Sequence, residues 1–284
     1  MKIAYIVSAY KNPEQVVRLI RRLDSDDVHF FVHVDKKTGD DDYRRIVDPL
    51  ARVGNAHFLD RHRCYWGGFG HVQATMKGIA ASIRSGIGFD YVVLLTGQDY
   101  PIATNSQIKE FFSKSDGRSF MAHFPLPSQE WEGGGLARID RWHLRLRSRH
   151  YVVAPHPRIG LERTFPAGLR PFGGSAYWCL SGSCIEYVER FIRHNPPFVR
   201  FFRYVDVPDE IFFHTILMNS PLKEGVIDDD LRYVEWREWN DARPAVLGKG
   251  DFERIMKCGK LFARKFDMHE DAEILDLIDA ALGG

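Results

Sequence analysis

The stretch IAYIVSAYKNPEQVVRLIRRL, residues 3–23, sets the fold class. Its opening IAYIVSA (3–9) is a β-branched, apolar run, the pattern of a buried strand. Asn12-Pro13 then reads as a helix start, with Asn as the cap and Pro at the first helical position. Beyond it Val16, Val17, Leu19, Ile20 and Leu23 recur at helical spacing. A buried strand feeding an amphipathic helix is the first half of a β-α-β unit.

The same alternation continues. VHFFVHV (28–34) reads as a second strand and DYVVLL (90–95) as another. HVQATMKGIAASIR (71–84) is helical by Val72, Met76, Ile79 and Ile83, and SQIKEFFSK follows DYVVLL as a helix. Strands alternating with helices imply a mostly parallel, Rossmann-like central sheet flanked by helices. Residues 115–170 change character, with Gly133-Gly134-Gly135, several prolines and a run of arginines. They read as long loops around short elements, a plausible binding region. SAYWCLS (175–181) then reads as a strand and CIEYVERFIRH (184–194) as a helix. A helix opening at Pro208, a strand LRYVEW (231–236) and a C-terminal helix complete the chain.

Composition sets bounds. With 44% hydrophobic and 13% aromatic residues, 284 residues can bury a sizeable core. Thirty-nine basic against 38 acidic residues give a net charge of +1, which argues against a dedicated nucleic-acid binder. The four cysteines, Cys64, Cys179, Cys184 and Cys258, include no CxxC pair and read as buried thiols of a reducing compartment. No run approaches the roughly twenty apolar residues that cross a bilayer. The expected location is cytoplasmic, soluble or peripheral at an inner membrane.

In open α/β sheets ligands bind beyond the carboxyl ends of the strands. There the chain places Ser8-Ala9-Tyr10, then Asp35, then Gly97-Gln98-Asp99-Tyr100-Pro101. An aspartate so placed can accept hydrogen bonds from a ribose or a base. A strand-end turn explains Asp35 in DKKTGDDD equally well. The first strand lacks GxGxxG, and WGGFG (66–70) is weak evidence for phosphate binding. In VPDEIFFHTIL (207–217) Asp206 and Asp209 suit helix capping. That leaves Glu210 either as one more acid at a helix start or as a general base. The clusters at Asp26-Asp27, Asp40 to Asp42 and Asp228 to Asp230 read as solvated turns. The twelve histidines contain no HExxH. Arg138, Arg141, Arg145, Arg147 and Arg149 read mainly as a solvated run, with one or two available to touch a negatively charged or hydroxyl-rich partner. Trp236 either stacks on a sugar or is buried. KLFARKFD (260–267) encloses two cations in an apolar stretch, either a solvated face or an anion site.

Taken together, HVDKK, WGGFGHVQAT, DYVVLLTGQDYPI, GGSAYWCLS, PDEIFFHTILMNS and LFARKFD resemble, in order, the core-2/I-branching β-1,6-N-acetylglucosaminyltransferases and peptide O-xylosyltransferases of glycosyltransferase family 14. The resemblance runs from about residue 3 to residue 267. It implies a single GT-A-type catalytic domain over 1–284, with a nucleotide-binding half (1–114) and an acceptor-binding and catalytic half (115–284). It implies inverting transfer from a UDP-sugar to a glycan acceptor without a D-x-D metal or other cofactor. Glu210 would be the catalytic base. Ala9, Asp35, Asp99, Arg243 and Lys265 would hold the donor, with Arg243 and Lys265 neutralising the diphosphate and Arg264 left in solvent. Arg141, Ser175 and Trp236 would meet the acceptor. The family uses N-acetylglucosamine, xylose and glucuronate donors; N-acetylglucosamine is the first expectation and xylose the second, with a non-catalytic carbohydrate-binding protein on the same fold as the alternative. A start at the first strand and few cysteines resemble a bacterial soluble member.

Overall fold

A computed structural model describes the chain except residues 148, 157–162, 238–242 and 284. In chain order the first elements are β1 (Ile3–Ala9), α1 (Pro13–Leu23), β2 (Val28–Val34), α2 (Asp40–Leu50), β3 (Ala56–Phe58) and α3 (Gly70–Arg84). Next come β4 (Tyr91–Thr96), β5 (Asp99–Pro101), α4 (Asn105–Ser113), β6 (Ser119–Phe120), β7 (His123–Pro125), α5 (Ala137–Asp140), β8 (Trp142–Leu146) and β9 (Arg149–Val153). The rest are β10 (Phe172–Gly174), β11 (Cys179–Ser181), α6 (Gly182–His194), α7 (Pro196–Phe202), α8 (Phe212–Met218), β12 (Val226–Ile227), β13 (Arg232–Val234), α9 (Phe252–Lys257), β14 (Phe262–Arg264) and α10 (Glu273–Ala281). The fold is α/β, with a mostly parallel central sheet.

Two compact units of discontinuous sequence form. The first holds Met1–Arg61, Gly88–Gly117 and Leu231–Gly284; the second holds His62–Ile87 and Arg118–Asp230. These units differ from halves divided at residue 114, because the C-terminal stretch joins the first unit.

In the first unit β4, β1, β2 and β3 lie side by side, all parallel. The strand residues Tyr5, Ile6, Val7, Phe30, Val32 and Val93 are wholly buried or nearly so, which is why these strands read as continuous apolar runs. A smaller sheet sets β14 between β13, parallel to it, and β5, antiparallel to it. KLFARKFD thus supplies a central strand. Leu261, Phe262 and Phe266 are buried and fix it.

In the second unit β6 lies between β12 and β11, and two antiparallel pairs form, β7 with β10 and β8 with β9. Phe198, Phe202, Phe212 and Phe213 pack ring against ring with centroids 4.6–5.2 Å apart. Burial of each such ring contributes about 1.5–3 kcal/mol.

Several expectations are corrected. Asn12 caps nothing with its side chain; it adopts a left-handed conformation and donates to Asp267 Oδ1 at 2.6 Å. Asp40 to Asp42 open α2 rather than a turn, as carboxylates favour a helix N-terminus. Ile83 of α3 is exposed, and the buried face runs instead through Val72, Ala74, Thr75, Gly78, Ile79 and Ser82. The strand at 175–181 is confined to its last three residues, and LRYVEW pairs only over Arg232–Val234. The helix from Pro208 is a single 3-10 turn, Pro208–Glu210, broken from α8 by Ile211 at φ −131. The region 115–170 contains the β8–β9 hairpin, whose alternation WHLRL and RHYVV was readable but masked by its arginines.

Candidate active site

Glu210 stands at the junction of the 3-10 turn and α8. Three backbone devices hold it there. Pro208 occupies the first turn, where its missing N–H costs nothing. Val207 is left-handed at φ 44, an unfavourable state for a β-branched residue that the surroundings must impose. Its N–H donates to the Gly67 carbonyl at 3.0 Å, and the Asp206 N–H donates to the Arg138 carbonyl at 3.0 Å. Here WGGFG finds its role. Gly67 is itself at φ 67, and a Cβ there would lie 2.5 Å from Arg145 Nη2. The close approach of Arg145 and Val207 is what requires a glycine at Gly67.

Asp206, expected as a cap, instead pairs with Arg145. Arg138 Nη1 donates to Glu210 Oε2 at 2.6 Å. The Glu210 side chain keeps 31% of its surface open. Burial pushes its carboxyl up to about 7, opposed by Arg138 and reinforced by Asp209. Asp209 is pushed up to about 6 by burial, and its Oδ1 has no hydrogen-bond partner. A carboxyl titrating near neutrality with an open face can take a proton from a hydroxyl.

Arg138 is held from behind. Its guanidinium lies 3.8 Å from the Trp131 ring centroid, a cation–π geometry. Trp131 in turn sits where only glycines fit: a Cβ on Gly135 or Gly173 would come within 2.5 Å of its ring. Sequence reasoning missed Trp131, although WEGGG was the available signal. Of the five arginines, Arg138 and Arg145 meet the acids, while Arg141, Arg147 and Arg149 are exposed. Arg141 Nε is 3.9 Å from Asp140. Ser175 is half-buried, and its carbonyl accepts from His214 Nε2 at 2.9 Å. Burial drives that histidine down to about 3, so it is neutral.

The first unit holds the other expected residues. Ala9 ends β1, and its carbonyl accepts from the Asp35 N–H at 2.8 Å. The Asp35 carboxylate accepts from Lys37 N at 2.8 Å. Asp99, expected at the donor, is wholly buried, and its Oδ2 accepts from Thr96 N and Oγ1 at 2.6 Å. Its Oδ1 lies 3.6 Å from Arg232 Nε and 3.8 Å from Arg264 Nε. Arg264 is likewise buried rather than solvated, facing Asp99 in strand register.

Lys265 follows directly. Its backbone is fixed by Leu247 N donating to its carbonyl at 2.9 Å. Among the described residues no carboxylate pairs with its ammonium. Burial, then Lys11 and Arg243, hold that ammonium below the ordinary lysine range. So the structure brings Lys265 and exposed Arg243 within one electrostatic field, and it adds Lys11. Lys11 Nζ is steered by Asp267 Oδ2 at 2.5 Å. A half-buried ammonium crowded by cations is a site that favours an anion. Trp236 is 53% exposed in the first unit; Trp239 lies outside the described residues.

The second unit thus offers a base, and the first a cationic cluster. A family model described as Core-2/I-Branching enzyme matches residues 3–256. Xylosyltransferase 2 of Rattus norvegicus is 28% identical over 307 aligned residues, covering 100% of this chain and 34% of that protein. Xylosyltransferase 1 of Canis lupus familiaris is 25% identical over 307 residues, covering 100% and 31%. The chain spans about a third of the length of the curated relatives it matches. A solved structure titled mannose-1-phosphate geranyltransferase, from Thermus thermophilus, is similar at 15% identity and a TM-score of 0.34, covering 81% of this chain and 72% of that one. Among the described residues no helix is long and apolar enough to cross a membrane. With the match extending over almost all of the sequence, the chain belongs to the Core-2/I-Branching enzyme family.

Proposed function

We propose that this chain is a glycosyltransferase that moves a sugar from a UDP-sugar to a hydroxyl of a glycan or glycoconjugate, with inversion and without a divalent ion. Family membership supports sugar transfer. The observation that carries the mechanism is Glu210: open to solvent on one side, gripped by Arg138 on the other, and titrating near 7.

In this reading Glu210 takes the proton of the acceptor hydroxyl as that oxygen attacks the anomeric carbon. UDP departs from the opposite face, and negative charge grows on its β-phosphate. Lys265 and Arg243 stabilise that charge by preorganised electrostatics, the task a metal performs in other transferases. Arg supplies a planar fork and Lys a point charge. Lys11 adds to the same field. Ala9 and Asp35 are assigned to the uridine, and Arg141, Ser175 and Trp236 to the acceptor. Asp99 is assigned an indirect part, holding Arg264 and the strand that carries Lys265.

For the donor, the xylosyltransferase relatives make UDP-xylose the first sugar to test and UDP-N-acetylglucosamine the second. A thermal-shift screen of UDP-sugars in EDTA separates them, since a specific ligand stabilises by mass action. Stabilisation by a UDP-sugar without metal supports the proposal. Stabilisation only after Mn²⁺ is added contradicts it.

A further inference from the structure

The β8–β9 hairpin sets Arg145 opposite His150 and places His143 two residues before Arg145. Strand alternation puts these three side chains on one face. Asp206 lies against that face: Arg145 pairs with its Oδ1, and His150 Nε2 is 3.9 Å from the same oxygen. His143 is 7% exposed. Its Nε2 donates to the Ala137 carbonyl at 2.8 Å, which leaves Nδ1 as the lone-pair nitrogen. That Nδ1 lies 3.0 Å from His150 Nε2. One ligand atom from each of His143, His150 and Asp206 lies within 4.8 Å of the other two.

Two imidazoles and a carboxylate are a donor set suited to a borderline divalent transition metal. A buried histidine locked by a backbone carbonyl is the usual way a protein aims the opposite nitrogen at such an ion. We propose that His143 Nδ1, His150 Nε2 and the Asp206 carboxylate form a binding site for a Zn²⁺-class ion, distinct from the sugar-transfer chemistry. Arg145 acts as its electrostatic plug. Without the ion, the guanidinium occupies Asp206 and a proton bridges the two rings. To bind, His150 carries its proton on Nδ1, and Arg145 withdraws from the carboxylate to make room for the incoming charge. The ion then bridges the hairpin to the segment that leads into Val207 and Glu210.

The experiment is a titration of the chelator-treated full chain with Zn²⁺ alone, read by equilibrium dialysis. Co²⁺ absorption reports the ligand geometry. The wild type is expected to bind one ion more than His150→Ala, whose altered side chain lies on an exposed strand and leaves the core intact. Arg145→Gln, which removes the competing cation, is expected to bind that ion about tenfold more tightly or better. Circular dichroism and thermal melting check that both variants fold. Equal binding by wild type and His150→Ala, no binding by wild type, or no gain in Arg145→Gln would each overturn the site. None of these readouts depends on transferase activity, so the site and the proposed function fail separately.

Discussion

Arg138 and Glu210, 72 residues apart in sequence, meet at 2.6 Å between Nη1 and Oε2. The guanidinium opposes the burial that raises the carboxyl, so the two influences together set where Glu210 loses its proton. An acid with a raised pKa works as a base only above that pKa. Activity is therefore expected to rise with pH through about 7.

Arg138→Gln removes the influence that lowers the carboxyl. The acidic limb of the kcat profile is expected to move up by about one pH unit, a loss of about tenfold on that limb. Activity recovers toward the wild type at high pH. A uniform loss at every pH would mean that Arg138 acts through something other than Glu210.

Trp131 acts at one remove, by backing Arg138. Gly173→Ala would drive a Cβ to 2.5 Å from the ring. Displacing the ring is expected to destabilise the protein by about 1–3 kcal/mol. It should also move the same pH limb as Arg138→Gln, in the same direction. Thermal melts with pH–rate profiles check both; a melt change with a stationary pH limb would separate Trp131 from Glu210.

Asp209 offers a stability test with a definite sign. Its folded pKa of about 6 lies above the ordinary 3.8, so the folded state binds more protons between those values. Stability therefore falls as pH rises through that window. Asp209→Asn removes the buried charge and is expected to be more stable than the wild type at pH 8, by at most about 3 kcal/mol. The difference should shrink toward zero below about pH 4, where both states of the wild type are protonated. Urea melts at the two pH values decide it.

Much of this was legible in the sequence, and for definite reasons. β1, β2 and α1 follow directly from IAYIVSA, VHFFVHV and the spacing of Val16 to Leu23, because each element's burial pattern is a period of its own residues. Glu210 and Lys265 could be singled out because short motifs carry them. Asp206, Arg138 and Arg145 could not be placed, since their pairings depend on a hairpin and on Val207 in a left-handed state. Arg264 and Asp99 misled for the opposite reason. Two charged residues beside a predicted ligand edge read as ligand contacts or solvated groups, yet strand register buries them against each other. Lys11 was overlooked because its charge matters only once Asp267, from the far end of the chain, steers it.

The cationic cluster gives a binding prediction. Lys265→Ala is expected to weaken UDP by about 10- to 100-fold, the range for one charge-assisted hydrogen bond. Lys11→Ala should weaken it less, because Asp267 already takes part of that charge. Calorimetric titration with UDP in EDTA measures both. Equal affinity in the wild type and Lys265→Ala would remove Lys265 from the diphosphate.

The sharpest test pairs two quantities on Glu210→Gln with EDTA present: UDP affinity and turnover of an active donor–acceptor pair. UDP affinity is expected to stay unchanged while turnover falls by about 10² or more, the usual cost of losing a general base. Near-wild-type turnover in Glu210→Gln, or a wild type silent until Mn²⁺ is added, would contradict a metal-free transfer driven by Glu210.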